Sequence, residues 1–288
     1  MKTLKRIGAV LLALAMLAAL SGCSGLEARL LRASTRLARL ESLRMDIQFD
    51  SRMGVTLFGR PMGLDLLMDG QSDILLKPLA VYMDVEAQAL GQSQRLQSYL
   101  RENDADYDLY LSVDGESWSH KTLSRDEKPE QTEPLEQLKV LLALADNFEE
   151  SGKETIRGQS ATVYSGVIAG SYVRELLEGT GLLASLGKAL EVDLSELELE
   201  DLGGVPVTLA LGDKSGLPLR YTLDLTEVLH SVLDAVLKEL LRQNDMGDLN
   251  LDALGVSATV EKALFTAECY DFDQVGELNF PEEALSAA

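Results

Sequence analysis

Two cysteines, two histidines and 47 acidic residues are the side chains through which this 288-residue sequence could do chemistry. His120 and His230 stand far apart, and neither has another His or Cys at metal-ligand spacing. Asp104, Asp106 and Asp108 have the one-three-five spacing of a calcium loop, but the sixth position is Leu109 rather than Gly and the twelfth is Gly115 rather than Glu. That pattern speaks against calcium. The chain has no Gly-x-Ser-x-Gly elbow, no phosphate-binding glycine loop and no dinucleotide fingerprint. Carboxylate pairs of the kind that hydrolyse glycosides arise by accident in any sequence this acidic. The densest run, Glu191 to Asp201, interleaves Val192, Leu194, Leu197 and Leu199 with acids, as a solvated face would. Trp118 is the sole tryptophan, which argues against the stacked aromatic platforms of a polysaccharide binder. Cys269 lies in Ala267-Glu268-Cys269-Tyr270-Asp271, where alternation puts it on the inner face of a strand as a small buried residue; with no second thiol beside it, it has no redox partner. The expectation is a protein without catalytic residues, metal ligands or cofactor, and so not an enzyme.

Cys23 is the exception. Lys2, Lys5 and Arg6 precede an apolar run from Ile7 to Leu20, then Ser21, Gly22 and Cys23. The run is short for a helix that must cross ~30 Å of hydrocarbon, and its flanks are those of an export signal. Leu20-Ser21-Gly22-Cys23 resembles the bacterial lipobox, which implies a diacylglyceryl group on Cys23 and cleavage before it. A second acyl chain makes such a tether stable, since one alone binds only marginally. The expected division is a signal peptide at 1–22, a lipidated N-terminus with a first helix at 23–42, and a single domain at 43–288, held by its anchor to the extracytoplasmic face of a bacterial membrane.

Loss of residues 1–22 removes those three cations and moves the formal balance from −21 to −24. Such a charge repels nucleic acid and anionic headgroups alike, so nucleic-acid binding is excluded.

Period and punctuation supply the scaffold. Leu26, Leu30, Leu37, Leu40 and Leu43 at helical spacing, with Arg29, Arg32, Arg36 and Arg39 between them, predict an amphipathic helix from Leu26 to Leu43. It either lies on the membrane or packs on the domain's own sheet. Packing is favoured because the stripe needs burial and a large domain follows at once. From Arg44 to Lys121 the period is two, in strands separated by turns such as Lys77-Pro78, Leu90-Gly91 and Asp114-Gly115. A loop at Ser124–Pro134 and a helix at Leu135–Ala145 follow. Strands come next at Phe148–Ile156 and Ala161–Ile168, then helices at Ser171–Leu177 and Leu182–Leu190. A hairpin spans Val205 to Leu225, a long helix with Thr226 as its cap runs to Gln243, and a last strand covers Ser257–Phe272. Antiparallel strands broken by a few helices make an α+β fold.

Four segments together, Gln97-Ser98-Tyr99-Leu100, the Tyr107-to-Trp118 hairpin, Gly158-Gln159-Ser160-Ala161-Thr162-Val163-Tyr164 and Asn279-Phe280-Pro281-Glu282-Glu283-Ala284, resemble uncharacterised lipoproteins of Gram-positive bacteria. Through them they resemble the fold of the lipoprotein-carrier and mycobacterial lipoprotein group. The resemblance implies a large curved antiparallel sheet, an open half-barrel, with helices packed on its concave face. It also implies a space between sheet and helices able to take acyl chains or an acylated partner. Met45, Met53, Met62, Met68 and Met83 would suit an irregular apolar ligand, and they would equally fill an ordinary core. Two functions stay open: a lipid-anchored, non-enzymatic holder of a hydrophobic ligand, or an envelope interaction module with a filled core.

Overall fold

The computed structural model describes residues 25–57, 59–63, 65–103, 106–124, 148–173, 202–243, 255–282 and 284. The export signal, Cys23, Asp104, the helices expected at 135–145 and 182–190, and the acidic run 191–201 lie outside them.

Helix α1 (Gly25–Leu37) leads into a meander of strands: β1 (Ser42–Leu57), β2 (Arg60–Gly63), β3 (Leu66–Leu76), β4 (Leu79–Ala89), β5 (Gln92–Asn103), β6 (Asp106–Val113) and β7 (Ser117–Ser124). After it come β8 (Glu149–Ile156), β9 (Gln159–Ile168), β10 (Val205–Gly212), β11 (Pro218–Asp224), helix α2 (Thr226–Gln243) and β12 (Ser257–Tyr270). All twelve strands form one antiparallel sheet in the order β7-β6-β5-β4-β3-β1-β12-β11-β10-β9-β8, with the short β2 beside β1. The sheet is open, a curved half-barrel of α+β class, and β7 and β8 are its edges among the described residues. On the β8 edge the register slips between Glu150 and Gly152, and Glu149, Glu150 and Lys153 are exposed.

Local chemistry explains the turns. Leu90-Gly91, Asp114-Gly115 and Arg157-Gly158 each place two successive residues at positive φ, the mirror-image turn whose twist matches that of paired strands. Glycine at the second position removes most of the steric cost.

The pairing register sorts the side chains onto two faces. Met45, Ile47 and Phe49 of β1 stand opposite Cys269, Ala267 and Phe265 of β12. Tyr221 and Leu223 of β11 follow on the same side, then Leu209 and Val207 of β10. Onto this apolar face pack Leu30, Ala33 and Leu37 of α1 and Val228, Val232 and Val236 of α2, all within one buried cluster. Arg29 fixes α1 in place by donating to Thr162 Oγ1 and Tyr164 Oη, each at 2.9 Å. The helix therefore packs on its own sheet.

Two expectations are corrected. The first helix ends at Leu37 rather than Leu43, because Leu43 belongs to β1 and pairs with Ile74. The leucine spacing ran on because Leu40 and Leu43 join the same core from a turn and a strand. Thr226 does not serve as a simple helix cap. Its hydroxyl donates to Asp224 Oδ1 at 2.6 Å and accepts from the Ala263 N–H at 3.0 Å, tying the start of α2 to β11 and β12.

Gly70, mid-strand in β3, allows β4 to approach very closely. A Cβ there would come within 2.6 Å of the Asp84 carbonyl oxygen and 2.7 Å of Val85 Cγ2. Gly70→Ala is expected to lower unfolding free energy by ~1–3 kcal/mol, the usual cost of overpacking, measured as a lower urea midpoint at unchanged m-value. An unchanged midpoint would show that β3 and β4 can part without loss.

Candidate functional site

The apolar face continues beyond the stretch on which α1 and α2 pack. Across β1, β3, β4, β5 and β6 the register lines up Ile47, Gly70, Val85, Leu96 and Val113, with Met45, Ser72, Met83, Ser98 and Leu111 as the adjacent row. Met45 is buried in the helix-covered core, whereas Leu96, Leu111 and Val113 are 37%, 37% and 47% exposed. Met68 and Met83 stand half-buried between these extremes. The Ser72 hydroxyl is already spent on the Tyr82 carbonyl oxygen at 3.0 Å. The result is a mainly apolar strip on β3–β6, interrupted by Ser72 and Ser98 and suited to contact with hydrocarbon. Of the methionines marked in the sequence, Met68 and Met83 reach this strip, Met45 fills core, Met53 sits at the β1 bulge and Met62 lies exposed on β2.

The opposite face is polar, and its charges are paired. Arg95 chelates Asp84, with Nε 2.7 Å from Oδ1, while Tyr82 Oη donates to Asp84 Oδ2 at 3.0 Å and Gln97 Nε2 to the same oxygen at 3.3 Å. Arg220 bridges Glu268 and Glu154. Arg157 reaches Asp46 and Glu268 with its guanidinium 3.6 Å from the Tyr270 ring centre. Arg44 joins Asp73 to Asp271. These links tie β4 to β5, and separately join β3, β1, β12, β11 and β8. A solvent-open trough of about 760 Å³ lies on this face, lined by Asp46, Gln71, Tyr82, Asp84, Arg95 and Glu268 among others. Its donors and acceptors are already engaged with one another. A second hollow of about 710 Å³ lies at the strand ends near Asp50, Asp65 and Gln88.

Hydrogen bonds from Arg95, opposed by partial burial and helped by Tyr82, hold the Asp84 carboxyl below its ordinary value. Burial raises Tyr82 and Tyr270 to about 12.

The titratable residues singled out in the sequence are used structurally. His120 Nε2 lies 3.2 Å from Asp108 Oδ1, and its ring stacks on Tyr110 at 4.7 Å. Asp108 is buried and also meets Arg101 and Asn103. Asp106 and Asp108 belong to the regular strand β6, not to a loop. His230 faces Asp234 at 4.0 Å along α2. Among the described residues no group of three or more His, Cys, Asp or Glu is arranged to hold a metal ion. Trp118 belongs to a row of rings on the polar face with Tyr99, 5.6 Å away, and Phe280 of the closing segment lies on Tyr99 at 4.9 Å with the Arg101 guanidinium 5.2 Å from its ring centre. The sequence offered Trp118 and Phe280 as separate points and gave no sign that the segment after β12 crosses to β5 and β6.

Cys269 is buried on the apolar face opposite Met45, as alternation implied. Burial pushes its thiol up to about 12, so it stays protonated at neutral pH. In the native protein it is expected to be inert to Ellman's reagent and to react only on unfolding; rapid labelling without denaturant would contradict its placement.

Because the folded-state pKa of Asp84 is depressed, its pairing stabilises the protein above the ordinary value of 3.8 and is lost as pH falls through the lower folded value. Asp84→Asn is therefore expected to flatten the acid limb of stability below about pH 4. Urea midpoints taken down that limb check this, and parallel curves for both proteins would refute it.

No protein-family model and no curated protein matches the chain. Among solved structures, it is similar to the lipoprotein LppX of Mycobacterium tuberculosis, with 14% identity over 88% of this chain and 98% of that one at a TM-score of 0.43. It is similar also to LprF from Mycobacterium bovis, with 10% identity over 90% and 96% at a TM-score of 0.47. A DUF1329 family protein from Desulfovibrio piger matches with 10% identity over 91% and 98% at 0.26. At these scores the likenesses add no argument about activity, and the fold rests on the sheet's own topology. No helix among the described residues is long and apolar enough to cross a membrane.

Proposed function

We propose that the protein is a lipid-anchored, extracytoplasmic, non-enzymatic binding protein that holds an apolar ligand, or the acyl part of a partner, against the apolar face of its half-barrel. The observation that carries this reading is the continuation of that face past the helices to the exposed Leu96, Leu111 and Val113. Exposed apolar side chains set side by side on a strand pair leave hydrocarbon in contact with water, and covering them is favourable at about 25 cal/mol per Å². The half-buried Met68 and Met83 beside them can repack around chains of different shape. The lipobox-like Leu20-Ser21-Gly22-Cys23 supports a diacylglyceryl anchor on Cys23, which would keep the strongly acidic domain near a membrane that its net charge of −24 after cleavage would otherwise avoid.

Native mass spectrometry of protein purified gently from membranes should reveal bound lipid, and a fluorescent fatty acid should be taken up by the emptied protein. Leu96→Asp and Leu111→Asp are each expected to weaken that uptake by roughly tenfold or more, the equivalent of losing one buried leucine contact. Their melting temperatures should change little, since both positions are part-exposed. A protein that carries no lipid and takes up no acyl chain would sink the reading, and would favour an envelope docking module with a filled core.

A further inference from the structure

We infer that α1 is a membrane seat: its outward face lies flat on an anionic bilayer, with Leu31 at the headgroup boundary and Arg32 and Arg39 on the anionic headgroups. The inference rests on the proposed lipidation of Cys23 for its starting position and on the structure of α1 for the rest.

The helix has two committed sides. Leu30, Ala33 and Leu37 are buried in the core, Arg29 is spent on Thr162 and Tyr164, and Arg36 donates to the Lys214 carbonyl oxygen. At 100° per residue the side facing away from the sheet carries Ala28, Leu31, Arg32 and Thr35, and Arg39 is exposed in the turn that follows the helix. Leu31 is 70% exposed there. Among the described residues Arg32 and Arg39 pair with no carboxylate. Glu27 is the one acid in the sequence of α1, against Arg29, Arg32 and Arg36, in a chain with 47 acids and 26 bases. Exposed Leu31, Arg32 and Arg39 on an otherwise acidic protein are complementary to an anionic lipid surface. The helix begins two residues after Cys23, so the tether spans at most about 7 Å of extended chain, and the first turn would stand at the interface.

The seat also decides what the membrane sees of the rest. α1 lies on the same face of the sheet as Leu96, Leu111 and Val113, so laying it flat turns the exposed apolar strip toward the bilayer, the source of acyl chains.

The test uses the full protein purified from membranes and reconstituted in vesicles of phosphatidylglycerol and phosphatidylcholine. Trp118 is the one native tryptophan and lies on the opposite face, so it supplies an unquenched reference for Leu31→Trp. Lipids brominated near the headgroup are expected to quench the added tryptophan and shift its emission to the blue while leaving Trp118 unchanged. Adding Arg32→Gln and Arg39→Gln should shift the seated equilibrium toward water by about fivefold per arginine, or roughly 25-fold together, and so should replacing phosphatidylglycerol by phosphatidylcholine. The mass of the N-terminal peptide reads acylation separately. An acylated, vesicle-bound protein whose position 31 stays unquenched overturns the seat and leaves the anchor standing. Quenching at position 31 in protein without acyl chains upholds the seat and removes the anchor, and an unacylated, unquenched protein overturns both.

Discussion

The pairing of β1 with β12 is the interaction on which the rest of the structure depends. Thirteen residue pairs join the first strand to the last, from Arg44 with Tyr270 to Thr56 with Ser257, and in the order of the sheet they join the half-sheet β3–β7 to the half-sheet β8–β11. Pairing across more than two hundred residues carries a large loop-closure cost. The cost is offset on both faces at the same seam: Met45, Cys269, Ala267 and Tyr221 enter the core on one side, while Asp46, Glu268, Arg157, Arg220 and Tyr270 interlock on the other. A bulge between Arg52 and Met53 shifts the register near the far end of the pairing, where the short β2 also joins β1.

From that seam the two faces diverge in purpose. The apolar face is covered near β12 and part-exposed toward β6, so a single surface runs from buried core to a strip open to solvent. The polar face behaves in the opposite way. Its side chains could in principle contact a ligand, but they satisfy each other in a lattice of arginines and carboxylates, most of it partly solvated and therefore worth little per pair. What the lattice contributes is register, since each bridge fits only one alignment of neighbouring strands.

How much of this was legible in the sequence follows from the range of the forces. Alternation and two-residue turns are local, so the strands from Ser42 to Ser124, the hairpin through Asp114-Gly115, the β10–β11 hairpin and the buried place of Cys269 could all be read directly. The end of α1 could not, because helix and strand both present leucines to the same core at this point. Nor could the ion-pair lattice, since Arg157 meets Asp46 and Glu268 from distant parts of the chain. The candidate strip was legible only as composition. Which apolar positions are buried by helices and which are left open depends on where α1 and α2 lie, and that is set by contacts such as Arg29 with Tyr164.

The broken register of β8 has a consequence at high local concentration. Copies of an open sheet crowded together collide edge to edge, and a straight unpaired strand would let them zip into ribbons. The slip between Glu150 and Gly152 interrupts any such ladder after a few rungs, and the exposed Glu149, Glu150 and Lys153 add charges that an approaching copy would have to match. The β8 edge is thus a poor template for a second copy of the sheet.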